Sequence, residues 1–354
     1  MTPVTVAVDA NGADLGPAEV AAGAALAAAQ GVRVLLFGPA QPLGEVRGMD
    51  GVEIVDAPVS IAKAPDPAGA ARATPEASIV QAARAVAAGE ADALVSGGST
   101  GPALAAGLFN IRRARGIHRP ALAVSVPVPG RPVTVVDVGA NTEVRAEHLV
   151  QFGFMGAALT EAVLGVARPR VGLLSIGEEA SKGTPLIVEA HAALRDRLAA
   201  GGRYEWVGNV EGNEVTAGKA DVVVTDGFTG NVALKLMEGV SETMLRAIRD
   251  VATSSRRAKT GGLLLRPALL EFREALDPES AGGAYLLGLR RLGVVPHGRF
   301  SRRGIAQAIL LAARGVSEDI VGVTHAALEA AGALREAPSA AGRSSGGASS
   351  VVVP

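Results

Sequence analysis

The chain has 354 residues, 48% of them apolar, with 34 basic against 35 acidic side chains and a net charge of −1. That is ample material for a large core, and the even charge balance argues against a nucleic-acid binder, which would show a basic surplus or stripe. No cysteine is present, which excludes disulfides, thiolate nucleophiles and Cys-held metals. The histidines (His118, His148, His191, His297, His325) lack the HxxxH spacing of a zinc helix. No metal and no cofactor is expected.

Strands are predicted at 4–8, 32–37, 53–55, 93–96, 121–126, 133–136, 171–176, 205–207 and 221–225. Helices are predicted at 17–30, 76–89, 101–114, 143–165, 184–200 and 229–254. Short Val/Leu/Ile runs alternating with Ala-rich helices predict an α/β fold with a largely parallel sheet covered on both faces. The opening MTPVTVAVDANGAD has no basic leader and is interrupted by Asp9, so it reads as a first strand and not a signal peptide; the expected location is cytoplasmic. Residues 1–335 are expected to form one body. Within it, 250–275 sets Arg256, Arg257 and Lys259 just before Leu263, Leu264, Leu265, Leu269 and Leu270. That stretch reads either as a protruding hairpin for membrane or dimer contact or as leucines buried against the body. The Ser/Gly/Ala-rich 336–354 segment is expected to be disordered.

Polar, Gly-rich turns follow several strands, where open parallel sheets bind ligands. VDANGADLGP holds Asp9, Asn11 and Asp14; it is either a ligand turn or an ordinary strand-to-helix turn. SGGSTG aims the amides of Gly97, Gly98, Ser99 and Thr100 at one concavity before a helix, which is either an anion cradle or a structural turn. VVDVGANTE offers Asn141 as a cap or as an amide donor. SIGEEASKGTP sets Lys182 beside Glu178 and Glu179. VGNVEG contributes Asn209. DVVVTDGFTGNVALK contributes Asp226, Thr229, Gly230, Asn231 and Lys235, the last two four residues apart and so on one helix face. His297 in PHGRFS is either structural or catalytic. Only five of the basic residues are lysine: Lys63, Lys182, Lys219, Lys235 and Lys259. In so arginine-rich a chain, each marks either chance or a need for a compact point charge.

Taken together, VDANGAD, SGGSTGPALAAGLFNIRRARGIHRPAL, VVDVGANTE, EHLVQFGFMG, RPRVGLLSIGEEASKGT, VGNVEG, ADVVVTDGFTGNVALKLMEG, GGAYLLGL and the His297–Gly298 pair resemble the bacterial phosphate acyltransferases of phospholipid synthesis. The likeness runs from Val6 to about Gly315, with Asn11, Ala13 and Gln307 as departures from the usual pattern. The resemblance implies a Rossmann-like αβα sandwich akin to isopropylmalate and isocitrate dehydrogenases and phosphate acetyltransferase. It implies transfer of a fatty acyl group from acyl carrier protein (acyl-ACP) to inorganic phosphate. It also implies a homodimer, peripheral membrane association, and hand-off of acyl phosphate to a membrane glycerol-phosphate acyltransferase.

For such a reaction the residues suggest direct attack by phosphate without a covalent intermediate. Lys182 and the 97–100 amides would hold phosphate, and Asn231 or Asn209 would donate to the thioester oxyanion. Lys235 would stabilise developing charge, and His297 would protonate the leaving thiolate. Asp9, Asn141, Asp226, Thr229 and Gly230 would help bind phosphate or acyl group. Arg112, Arg113, Arg115 and Arg119 form either a dock for the acidic carrier or a solvated surface. These groups are expected to converge along the carboxyl edge of the sheet. Two other readings stand beside this one. A non-catalytic acyl-ACP or phosphate-binding regulator is the first. An NAD-dependent dehydrogenase is the second, though no GxGxxG follows a strand.

Overall fold

The computed structural model describes residues 3–128 and 130–335; the predicted disordered tail at 336–354 lies outside them. The amino-terminal part is β1 (Thr5–Asp9), α1 (Pro17–Ala28), β2 (Arg33–Gly38), β3 (Val52–Asp56), α2 (Pro67–Ala73), α3 (Ser78–Ala88), β4 (Ala93–Val95) and α4 (Thr100–Ala106). The central part is β5 (Ala121–Val126), β6 (Val133–Val136), α5 (Ala146–Leu164), β7 (Arg170–Leu174), α6 (Pro185–Gly201), β8 (Glu205–Val210) and β9 (Val222–Val224). The remainder is α7 (Gly227–Thr253), α8 (Arg256–Ala275), α9 (Pro278–Ala281), β10 (Ala284–Leu287), β11 (Leu292–Val295), α10 (Arg302–Ser317) and α11 (Ile320–Ala330).

The eleven strands form one sheet in the order β3-β2-β1-β4-β11-β10-β5-β6-β9-β7-β8. Central strands such as ALV and VVV are apolar on both faces and wholly buried, as strands covered by helices on both sides must be. One core holds α1, α5, α6, α10 and α11 against one face. The other holds α2, α3, α4 and part of α7 against the opposite face. The result is the αβα sandwich that the sequence suggested.

The expectation of one carboxyl edge is corrected. Strands β5 and β6 are joined by a connection too short for a helical crossover and pair antiparallel. Strand β10 is antiparallel to both of its neighbours. Strands β1, β2, β3, β4, β11 and β5 therefore run one way, and β6, β9, β7 and β8 run the other. Polar strand ends thus lie on two edges.

Helices α7 and α8 depart from this compact order. In α7 only Gly227 and Gly230 are buried, and in α8 no residue is. The leucines of 263–265 are exposed, Leu264 at 79%, so burial against the body is ruled out for them. Among the described residues, no helix is long and apolar enough to cross a membrane.

Candidate active site

Three turns interlock at the carboxyl ends of β1, β4 and β11. A Cβ on Gly97 would collide with the carbonyl oxygens of Asp9 and Asn11, and one on Gly98 with the backbone of Gly298. Asp14 N–H donates to the Gly298 carbonyl at 2.7 Å. Beneath them Asp9 is fully enclosed. Its Oδ1 accepts from Ser78 Oγ at 2.6 Å and from Asn11 N–H at 3.1 Å, and Asn11 Nδ2 donates back to Ser78 Oγ at 2.9 Å. Burial pushes the Asp9 carboxyl up to about 7, against the pull of hydrogen bonds from Ser78, Asn11 and Gly97. Asp9 thus supports the turns from below. The Gly98 and Ser99 amides both donate to Ser96 Oγ at 3.2 Å, so they are already engaged.

A second buried carboxylate fixes the start of α7. Asp137 accepts from the amides of Leu122, Gly139 and Ala140 at 3.0 Å and of Asn141 at 2.8 Å. Asn141 Nδ2 donates to Asp137 Oδ2 at 2.8 Å and to the Pro120 carbonyl at 2.7 Å. Burial raises the Asp137 pKa, opposed by these donors. Gly230 packs so closely on the Asp137 carbonyl that no Cβ fits. Asp226 caps α7, accepting from Thr229 N–H at 2.8 Å and Thr229 Oγ1 at 2.7 Å. Asn141, Asp226, Thr229 and Gly230 therefore act together as the anchorage of α7.

That anchorage presents Asn231 and Lys235 to a cleft of 890 Å³ between α7 and the sheet. Leu122, Val124 and Val126 of β5, alternating along one strand face, form its floor. Asn231 Nδ2 donates to the Val138 carbonyl at 3.1 Å and keeps a second hydrogen free for this donor. Lys235 Nζ lies 3.2 Å from His297 Nε2 and 2.9 Å from Glu238 Oε2. Burial lowers the His297 pKa, and the charges of Lys235 and Arg299 lower it further. The imidazole is thus neutral near pH 7, with its Nε2 facing the Lys235 ammonium and its Nδ1 facing Arg299 N–H at 3.4 Å. Gly98 and Thr100 line the same cleft. The cleft combines a cation, a neutral base and an amide donor with a long apolar floor, which suits an anion reacting with an aliphatic ester or thioester.

A family model described as "Fatty acid synthesis protein" matches residues 4–322. A phosphate acyltransferase of Nitratidesulfovibrio vulgaris is 41% identical over 324 residues, covering 90% of this chain and 93% of that protein. One of Heliobacterium modesticaldum is 40% identical over 323 residues, covering 89% and 95%. The chain belongs to the phosphate acyltransferase family. Among solved structures, a phosphotransacetylase from Streptococcus pyogenes superposes with a TM-score of 0.61 at 16% identity, covering 89% of this chain and 94% of that one. The EutD phosphotransacetylase from Staphylococcus aureus gives 0.59 at 17% identity, with the same coverage. At such identities these two likenesses speak for the fold alone.

Within this family member, the other residues singled out from sequence lie elsewhere. Lys182 is exposed and does not line the cleft. Glu178, four residues before it, pairs instead with Lys219 at 2.7 Å, and Lys219 also holds Glu214 at 2.8 Å. Asn209 is buried with its amide engaged at both ends: Nδ2 donates to the Glu179 carbonyl at 2.8 Å, and Oδ1 meets His191 Nδ1 at 2.9 Å. It holds the 175–183 loop. Arg112, Arg113 and Arg115 line a separate depression of 610 Å³ with Arg335, near the β10–β11 turn; Arg119 is exposed nearby. That turn lies at the opposite end of both strands from His297.

Sequence reasoning missed Glu238, although its place one turn after Lys235 was visible; Asp137 stood out as a polar residue in VVDVGANTE, but no local pattern signals that its carboxylate is spent inside the fold. Among the described residues, His118, Glu147 and His148 make one group with metal-ligand spacing. It is poorly suited to the task. His148 Nδ1 accepts from Arg145 N–H at 3.2 Å, so Nε2 carries the proton in the neutral ring. The charges of Arg113, Arg119, Arg145 and Arg335 bear on these two rings.

Proposed function

We propose that this cleft transfers a fatty acyl group from the thioester of acyl-ACP to inorganic phosphate, releasing acyl phosphate for phosphatidic acid synthesis. The observation that carries the reading is the Lys235–His297 pair, 3.2 Å apart, at the side of a cleft whose floor is apolar. Phosphate is largely dianionic near neutral pH and is itself a competent nucleophile. Lys235, together with Thr100, holds it beside the floor. Its oxygen attacks the thioester carbonyl, and the free hydrogen of Asn231 Nδ2 stabilises the oxyanion; such a donor is worth roughly 3–4 kcal/mol. The C–S bond then breaks. The hydrogen carried by HPO4²⁻ is the one the departing thiolate needs, so protons balance without an outside source. Neutral His297 relays it. Lys182 and Asn209 take no step in this scheme.

Three partner proposals go with this reading. The row Phe228, Val232, Leu236, Val240, Met244 and Val251 is exposed along α7, which supports its coverage by a second copy of the chain. Leu263–Leu265 beside Arg256, Arg257 and Lys259 supports contact with an anionic membrane surface, where the acyl phosphate would be handed on. The acidic carrier protein would dock on the Arg112–Arg115 depression and Arg119.

Purified protein incubated with palmitoyl-ACP, with and without phosphate, tests the central claim. Free ACP thiol and hydroxylamine-trappable acyl phosphate should appear together and only with phosphate. Binding of acyl-ACP without any phosphate-dependent thiol release would leave a regulator as the better description.

A further inference from the structure

The cleft extends much further on one side of the reacting groups than on the other. Toward the start of α7 its lining ends at Asn231 and Gly139, only one helical turn, ~6 Å, from Lys235. Toward the far end it continues under α7. Leu234 and Met237 pack against the apolar face of the sheet. Leu245, eleven residues after Leu234, returns to the same helix face after three turns. From Lys235 to Leu245 the helix rises ~15 Å. Val124 and Val126 floor this stretch, and Leu276, at the end of α8, closes it. Glu242, Arg273 and Asp277 line the same end, so an aliphatic chain passing Leu245 would meet charged groups.

We propose that Leu245 and Leu276 form the end wall of the acyl channel and set the longest acyl chain this protein transfers. The inference rests on the acyl-transfer reading above and adds the direction in which the chain lies and the residues that measure it. Both leucines are half-buried. They sit in the part of the molecule with the least packing around it, so changes of size there are compatible with folding. A methylene that fits within the wall gains the transfer free energy of burial; one forced beyond it does not, a difference of roughly fourfold in kcat/KM per methylene.

The test is a chain-length profile. Phosphate-dependent release of ACP is measured for octanoyl-, lauroyl-, palmitoyl- and stearoyl-ACP with the wild type, Leu245→Trp, Leu276→Trp and Leu245→Ala. Each tryptophan variant should lower kcat/KM for palmitoyl-ACP at least tenfold while changing octanoyl-ACP less than twofold. Leu245→Ala should raise the palmitoyl-to-lauroyl ratio by about fourfold, one methylene's worth or more. Profiles parallel to the wild type, whether unchanged or lowered equally at every length, would overturn the wall while leaving acyl transfer standing. A wild type that forms no acyl phosphate from any donor would instead remove the acyl-transfer reading, and the wall with it.

Discussion

The two sides of the cleft are built differently. The wall that carries Gly98 and His297 is locked: its three turns fit so tightly that Gly97 and Gly98 have no room for a Cβ, and fully buried Asp9 supports them. The roof that carries Asn231 and Lys235 is a helix whose only buried residues are Gly227 and Gly230, continued by a helix with none. Elements with so few buried contacts open at low cost, whereas the wall opens only with the fold. His297 of the Lys235–His297 pair thus sits on the tightly packed wall, and Lys235 sits on a helix anchored at Asp137. On the proposed reaction, such a division would let a long aliphatic chain enter beneath the roof without disturbing the anion side.

The contact across that division should be the most sensitive point. Lys235→Met removes the charge but keeps most of the apolar stem, and should lower the rate of acyl phosphate formation by roughly 10²–10³, with the circular dichroism spectrum unchanged. A loss of less than threefold would detach Lys235 from the chemistry. The same variant should shift the pH profile. His297 is held below its ordinary pKa partly by the Lys235 charge, so removing that charge raises it, and the acid limb of the residual kcat/KM should move to higher pH. An acid limb at the wild-type position would mean that His297 does not titrate in that limb.

Stability experiments probe the two sides separately. On the wall, ionising Asp9 inside the fold is costly, because its pKa there is about 7. The folded state therefore holds this proton more tightly than the unfolded chain. The Asp9 contribution is greatest below about pH 4, where both states are protonated, and is lost as pH rises toward 7. Asp9→Asn should flatten that part of the urea-unfolding profile, gaining a few kcal/mol relative to the wild type at pH 8. A wild-type slope preserved in the variant would show that Asp9 is ionised in the fold at a normal pKa. At the anchorage, Gly230→Ala presses a methyl onto the Asp137 carbonyl and should cost about 1–3 kcal/mol. Differential hydrogen exchange should place the loss at 226–235 and leave β1 and β4 protected.

The strands at 4–8, 32–37, 93–96, 121–126 and 221–225 were legible because burial on both faces leaves continuous apolar runs. What stayed hidden was pairing. Strands β10 and β11 have four residues each, set among glycines and arginines, yet they occupy the middle of the sheet and deliver His297 to the cleft. The direction change at β6 follows from the short 127–132 connection, a signal that was present but weighed less than the repeated strand–helix alternation. Asn231, Lys235 and His297 were singled out because each is a reactive side chain in a turn or on the first turns of a helix, and the fold brings the three to one cleft. Asp137, Asn141 and Asn209 share those local signals but spend their hydrogen bonds inside the fold. Only tertiary contacts reveal which polar group is left free.

The smallest effect expected concerns the carrier dock, because exposed charges are screened and individually weak. The arginine depression lies at the amino-terminal end of β5, whereas His297 follows the carboxyl end of β11, so the length of these strands separates the two. Arg119 is three residues before Leu122, which floors the cleft, and Arg112–Arg115 border the same segment. A carrier held there would pass its arm over the start of β5, on the side away from the α7–α8 roof. Reversing Arg112 and Arg115 to glutamate should raise the KM for acyl-ACP a few-fold at low salt. The KM for phosphate and the kcat should stay at wild-type values, and the difference should fade as ionic strength rises. An effect that persists in high salt would point to altered structure around the π-helical turn at Gly107–Ile111. No effect at low salt would move the carrier to the cationic rim of the cleft itself, where Arg273 and Arg299 stand. The donor arm would then enter beside the roof, and the acyl chain and its carrier would have to share the less rigid side of the cleft.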